Sequence, residues 1–209
     1  MKRILIIISM LLIGACYALP PKVYLNIPFL CQAPYGNWAE PWQDACEEAA
    51  VIMAMAWVKG YQVTRGSGNQ EILNLVAFQQ KQYGGHLDLT AKECVKLIKD
   101  YYKFDNVELR ENFTIEDIKS ELAGGMVVIA PMAGRMLQNP YYTPPGPAYH
   151  YIVFKGYDER SGEFITNDAG TRRGKDFRYK YQVAYNAIHD WTGDKKTIGR
   201  GRKAIIVIK

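Results

Sequence analysis

Pro41-Trp42-Gln43-Asp44-Ala45-Cys46-Glu47-Glu48-Ala49-Ala50 sets a cysteine at the entry of an apolar helix, and this stretch decides how the rest of the chain reads. Asp44 is a good N-cap, and Glu47 three positions on gives a capping-box pattern. The apolar body covers residues 49–58, and Gly60 supplies the stop. With Asp44 as cap, Cys46 is the second helical residue, where backbone N–H groups lack partners and the helix dipole is positive. Both favour a thiolate, and a nearby protonated histidine lowers a thiol further below its free value of about 8.5. Glu47 and Glu48 oppose this if they point at the sulfur, but adjacent helix positions face different sides. Taken alone, Cys46 reads as a small buried apolar residue, the common fate of a free cysteine.

Two later stretches change that reading. Tyr149-His150-Tyr151-Ile152-Val153-Phe154-Lys155-Gly156-Tyr157-Asp158 is strand-like, and period two puts His150, Ile152 and Phe154 on one face. His150 stands at the strand mouth after a Pro-rich loop over residues 132–149, where it can take the Cys46 proton and later protonate a leaving group. Phe164-Ile165-Thr166-Asn167-Asp168-Ala169-Gly170-Thr171 ends the next strand of a hairpin that turns at Gly162. Asp168 is placed to hold the imidazole in one tautomer, with Asn167 as the adjacent alternative. Taken alone, Asn167, Asp168 and Gly170 are ordinary turn residues. Of the other histidines, His86 after Gly84-Gly85 reads as loop surface, and His189 beside Asp190 is the rival base. An oxyanion needs donors. The Cys46 N–H is one candidate, and the Gln32 amide, from the loop before the helix, is preferred over Gln43 for the other.

Further helices are expected over residues 70–82, after Thr90 with Glu93 as reciprocal cap, and after Thr114 with Asp117 in the same role. Strands are expected over residues 23–30, 126–131, 149–157, 163–167, 177–181 and 204–208, with a short helix near residues 183–189. Helices first and strands later imply an α+β fold, with the N-terminal helices packed on a C-terminal antiparallel sheet.

Met1-Lys2-Arg3 and the apolar run over residues 4–13 read as an export signal, too short to span a bilayer. The signal covers residues 1–18, and the folded domain residues 22–209. Two endings stay open: cleavage at Cys16-Tyr17-Ala18, or a lipobox Ile13-Gly14-Ala15-Cys16 that lipidates Cys16 and tethers the protein to a membrane. Both place the mature protein outside the cytoplasm, secreted, periplasmic or anchored. The formal charge of +5 includes Lys2 and Arg3, and without them it is too mild to argue for nucleic acid. Arg172-Arg173-Gly174-Lys175 reads as a solvated loop. Fifteen tyrosines exceed what core filling needs; many are expected half-exposed, and some in a cleft. The four cysteines form no CxxC pair, so no zinc site is expected. Cys31 and Cys94 read as buried thiols, with a disulfide between them the alternative.

Four motifs in order resemble the papain-like cysteine peptidases of the family 39-like group, relatives of the double-glycine leader peptidases. They are Ile27-Pro28-Phe29-Leu30-Cys31-Gln32-Ala33-Pro34-Tyr35-Gly36-Asn37-Trp38, Gln43-Asp44-Ala45-Cys46-Glu47-Glu48-Ala49, the stretch from His150 to Asp158, and Thr166-Asn167-Asp168-Ala169-Gly170-Thr171. The resemblance implies a papain-like fold with Cys46 as nucleophile, His150 as base, Asp168 as orienting group and Gln32 as oxyanion donor. Ala169 stands where such proteins often have proline. The expected activity is a thiol hydrolase, a peptidase acting through a thioester acyl-enzyme on peptide or protein substrates, with no metal or organic cofactor. Transglutaminase-like or cell-wall peptide amidase activity is the enzyme alternative. A non-catalytic peptide-binding module on the same fold is the alternative of another class.

Overall fold

The structure is a computed structural model that describes residues 18–86 and 88–209. The signal segment and Cys16, with its cleavage and lipidation alternatives, lie outside the described residues.

In chain order the elements are β1 (Lys22–Tyr24), α1 (Cys46–Lys59), α2 (Arg65–Tyr83), α3 (Ala91–Tyr102), β2 (Val107–Arg110), α4 (Ile115–Ala123), β3 (Val127–Ala133), β4 (Tyr149–Asp158), β5 (Glu163–Asp168), β6 (Phe177–Lys180), α5 (Tyr181–Ala187) and β7 (Ile205–Ile208). The strands form one antiparallel sheet in the order β2-β7-β3-β4-β5-β6. β1 lies beside β4 from Gly156 to Asp158, where β3 has already ended. This is the expected α+β layout.

Helix starts written in local sequence appear where expected. Thr90 and Thr114 each accept from the backbone three residues on, and Glu93 and Asp117 reach back to the cap N–H. α2 begins earlier than expected, at Arg65, because Thr64 and Ser67 form a reciprocal box that lacks the usual Glu or Gln. The entry to α1 departs from expectation. Asp44 belongs to a 3-10 turn over Trp42–Asp44, Ala45 is the N-cap without a side-chain bond, and Cys46 is the first helical residue. Glu47 caps nothing; it is buried beneath the helix.

The sheet separates two apolar cores. Ile52, Met53, Leu75 and Leu97 of α1, α2 and α3 pack with Tyr151, Val153 and Ile129 on one face. Ile118 and Leu122 of α4 and Ala184 of α5 pack with Ile152, Phe154 and Val207 on the other. The alternation along β4 therefore follows the expected period of two.

The strand expected over residues 23–30 shortens to β1. Beyond it, Leu25 N donates to Lys155 O at 2.7 Å, and side chains hold the chain instead. Lys155, fully buried, donates to Ile27 O at 3.2 Å and pairs with Asp176 at 2.7 Å. Asn167 Nδ2 donates to the carbonyls of Ile27 and Pro28. β2 was not foreseen: it has four residues, and its partner among the described residues, β7, lies about a hundred positions on in the sequence. The Pro-rich loop is also shorter than expected, because β3 runs on to Ala133 and a 3-10 turn occupies Gly134–Leu137.

Candidate active site

The loop before α1 is fastened by the residue expected to serve chemistry. Gln32, buried, donates both amide hydrogens to backbone, to Trp42 O at 3.0 Å and Gln43 O at 2.8 Å. Its Oε1 is buried without a partner. Its own N–H donates to Ala169 O, which ties this loop to the end of β5. The Trp42 indole donates to Asn69 of α2 at 3.0 Å. The 3-10 turn is thus pinned from two sides, and it delivers Cys46 to the rim of a cleft of about 670 Å³.

That cleft brings together Gln32, Gln43, Cys46 and His150. Tyr149, Tyr142, Tyr141 and Trp38 supply its aromatic surface. Part of the tyrosine excess is therefore accounted for. Cys46 belongs to the core on the α1 side of the sheet, whereas His150 shares its strand face with Ile152 and Phe154 on the other. Both line the cleft because each sits at the first residues of its element.

His150 and Asp168 are partners. His150 Nε2 lies 2.8 Å from Asp168 Oδ1, and both side chains are buried. This contact leaves Nδ1 as the second ring nitrogen. Asp168 collects four more donors: Gly170 N at 3.0 Å on Oδ1, and Asn139 Nδ2 at 3.0 Å, Tyr142 OH at 2.6 Å and Tyr179 OH at 2.6 Å on Oδ2. Burial pushes this carboxyl up, but the His150 charge and the bonds from His150, Tyr142 and Tyr179 outweigh it and hold Asp168 below its ordinary value. The same burial and the Asp168 charge keep Tyr142 and Tyr179 as neutral donors, raised far above a free phenol. Asn167, the alternative orienting group, instead donates to the Ile27 and Pro28 carbonyls of the segment after β1.

The sequence does not mark Asn139, Tyr142 or Tyr179 as partners of Asp168. They lie 29, 26 and 11 residues from Asp168, and nothing local marks them. Gly170 is also required. A Cβ there would stand 2.9 Å from His150 Cε1 and 3.1 Å from its Nε2, so the imidazole packs directly on this backbone.

The expectation of a depressed Cys46 thiol is corrected. Cys46 Sγ donates to Glu47 Oε2 at 3.0 Å. Burial pushes the thiol well above its ordinary value, and the charges of Glu47 and Glu48 push the same way. The helix N-terminus is present, but burial and the neighbouring acidic pair outweigh it. Glu47 Oε1 accepts from Leu89 N at 3.1 Å. Burial first, and the Glu48 charge second, raise Glu47 to about 8. Glu48 in turn binds Gln79 and lies 3.2 Å from His86 Nε2. His86 is therefore not loop surface, since its side chain is 6% exposed and faces the acidic pair. Burial lowers its basicity, but Glu48 and Glu47 reverse this and raise it. The ring of His189, the rival base, lies 3.3 Å from Ala187 O, and His189 does not line the cleft. Cys31 and Cys94 are both free and buried, so the disulfide alternative is excluded.

No group of three or more metal-ligating side chains occurs among the described residues. No described helix is long and apolar enough to cross a membrane.

The sequence profile of the Peptidase_C39 like family matches residues 24–197. A crystal structure from Bacillus anthracis, described as a C39-like peptidase, superimposes with a TM-score of 0.56 at 16% identity, covering 90% of this chain and 98% of that one. The crystal structure of xylellain, a cysteine protease from Xylella fastidiosa, gives 0.46 at 16% identity over 92% and 87%. No curated protein is significantly similar in sequence.

Proposed function

The chain belongs to the Peptidase_C39 like family, and from that premise we propose that it is an exported, papain-like cysteine peptidase acting through Cys46, His150 and Asp168. The observation that carries the reading is the buried His150–Asp168 pair, 2.8 Å apart, at a cleft that Cys46 also lines. Asp168 fixes Nε2, so Nδ1 of His150 takes the thiol proton. The sulfur attacks the peptide carbonyl, and the C–N bond breaks as His150 returns the proton to the leaving amine. A thioester remains. Water then attacks it, giving its proton to His150, and the carboxylic acid product leaves with Cys46 as thiol again.

The nucleophile rests as a thiol in this scheme, so proton transfer accompanies attack. Glu47, at about 8, is largely a carboxylic acid at neutral pH, so its charge opposes a Cys46 thiolate mainly above that value. The oxyanion is assigned to the Cys46 N–H, unpaired at the first helical residue, and to the Gln32 amide. Gln32 must release one of its two carbonyl partners to serve. Export rests on the charged and apolar start of the sequence, and mass spectrometry of the mature N-terminus separates cleavage before residue 19 from a lipidated Cys16.

One observation favours a second reading, a non-catalytic peptide-binding module: the resting thiol bonds to Glu47. The deciding experiment incubates the protein with a complex peptide mixture and identifies new termini by mass spectrometry. New termini in the wild type that vanish in C46A and in H150A are expected. Cleavage that persists in C46A sinks the peptidase reading. Iodoacetamide reactivity of Cys46 that is indifferent to H150A, with no cleavage, supports the binding module.

A further inference from the structure

Resting on the peptidase reading, we propose that the cleft selects peptides bearing a carboxylate, bound across Arg172 and Arg173. The sequence presents these residues as a solvated basic loop, but both line the same cleft as Cys46 and His150.

The loop that carries them is built, not loose. Gly170 N donates to Asp168 Oδ1, Asp168 N donates to Gly174 O at 3.0 Å, and Gly174 N donates to Thr171 O at 3.2 Å. Arg173 N donates to the Thr171 hydroxyl at 3.2 Å. A Cβ on Gly174 would collide with the Asp168 carbonyl, so the loop folds tightly onto the His150–Asp168 pair. The guanidinium groups are positioned as well. Arg172 lies where a Cβ on Gly36 would stand, and Gly36 has a left-handed φ of 78°. The Arg173 guanidinium carbon sits 4.8 Å from the centroid of the Tyr141 ring.

Both side chains are exposed, and among the described residues neither has a carboxylate partner. The remaining cation of the cleft is already engaged: Lys195 lies 3.4 Å from Asp88 and 3.7 Å from Asp44. The unmatched positive charge is therefore confined to one wall, beside the imidazole. Two held guanidinium forks facing a cleft are the geometry that receives a carboxylate in bidentate fashion. Arg172 also borders an adjoining hollow of about 500 Å³ lined by Arg65, Tyr35 and Leu30, so the basic wall continues away from Cys46.

The carboxylate has two sources, an acidic side chain or a peptide C-terminus. Binding is measured on the C46A protein, so the outcome does not depend on turnover. Three pools of N-acetylated random octapeptides are compared: glutamate fixed at one position with an amidated end, glutamine there with an amidated end, and glutamine there with a free carboxyl end. At least one carboxylate pool is expected to be retained about tenfold better than the neutral pool, the scale of one charge-assisted contact. Which pool wins identifies the source. In C46A carrying R172Q and R173Q, that advantage is expected to vanish. Equal retention of all three pools overturns the proposal, as does an advantage that survives the arginine substitutions. The peptidase reading stands or falls separately, on the cleavage that C46A removes.

Discussion

Replacing Glu47 by glutamine tests the electrostatics around Cys46, the proposed nucleophile, on two independent scales. Glu47 holds its proton to about 8, whereas the ordinary glutamate value is 4.5. Its folded value lies above its unfolded one, so the native state keeps a proton that the unfolded chain releases. Stability then falls as pH rises from about 4.5 through about 8. At about 1.4 kcal/mol for each pKa unit, that span is worth about 5 kcal/mol for this buried group. E47Q cannot ionise, and its amide oxygen can still accept from Leu89 N. Urea unfolding at pH 5, 7 and 8.5 should give similar stabilities for the two proteins at pH 5. At pH 8.5 the variant should gain several kcal/mol. Asp168 does not confuse the comparison. Its folded value is depressed, so its contribution is present above its unfolded value and is lost only as pH falls below the ordinary aspartate range. The second scale is the thiol. Burial remains in E47Q, but the Glu47 charge and acceptor are gone, so the Cys46 thiol should ionise more readily and its alkylation should quicken most above about pH 8, where wild-type Glu47 carries its charge. The assay is the iodoacetamide rate at Cys46 against pH, read by mass spectrometry. An alkylation profile that stays put or moves upward refutes the reasoning, and so does an unchanged pH slope of stability.

Other outcomes follow from the same contacts. Y179F removes a 2.6 Å donor from Asp168; kcat/KM should drop about tenfold, in line with the ~1.5–3 kcal/mol of a hydrogen bond to a charged group. G170A has a permitted backbone but puts a methyl 2.9 Å from the imidazole. It should cost about a hundredfold in kcat, since small misplacements are that expensive, while its urea midpoint shifts far less than that of a core deletion. K155M keeps the buried volume but leaves Ile27 O with Asn167 as its donor and deprives Asp176 of its cation. A loss of about 2 kcal/mol in urea unfolding is expected, below the full cost of a broken buried pair because Asp176 regains water.

Much of the architecture was legible because it is local. The Thr90–Glu93 and Thr114–Asp117 boxes lie within one helical turn, and β4 alternates residue by residue. The order of Cys46, His150 and Asp168 was legible too, and the structure brings these three and Gln32 to one region. Asp44 and Glu47 show where such reading fails. They carry the spacing of a capping box, yet Glu47 turns inward to Leu89 N and the Cys46 thiol. The same three-residue spacing served a solvent-exposed cap in α3 and α4 and a buried acid in α1, because α1 is buried all round from Cys46 to Ala56.

Sequence alone determined most of the elements, the α+β class and the candidate residues for thiol chemistry, since periodicity, caps and residue chemistry act over a few positions. Tertiary structure decided their charge states and company. It buried Cys46 against Glu47, gathered Asn139, Tyr142 and Tyr179 around Asp168, and turned Arg172 and Arg173 into a cleft wall. Desolvation and hydrogen bonding depend on what packs against a group, and those neighbours come from parts of the chain that no local pattern connects.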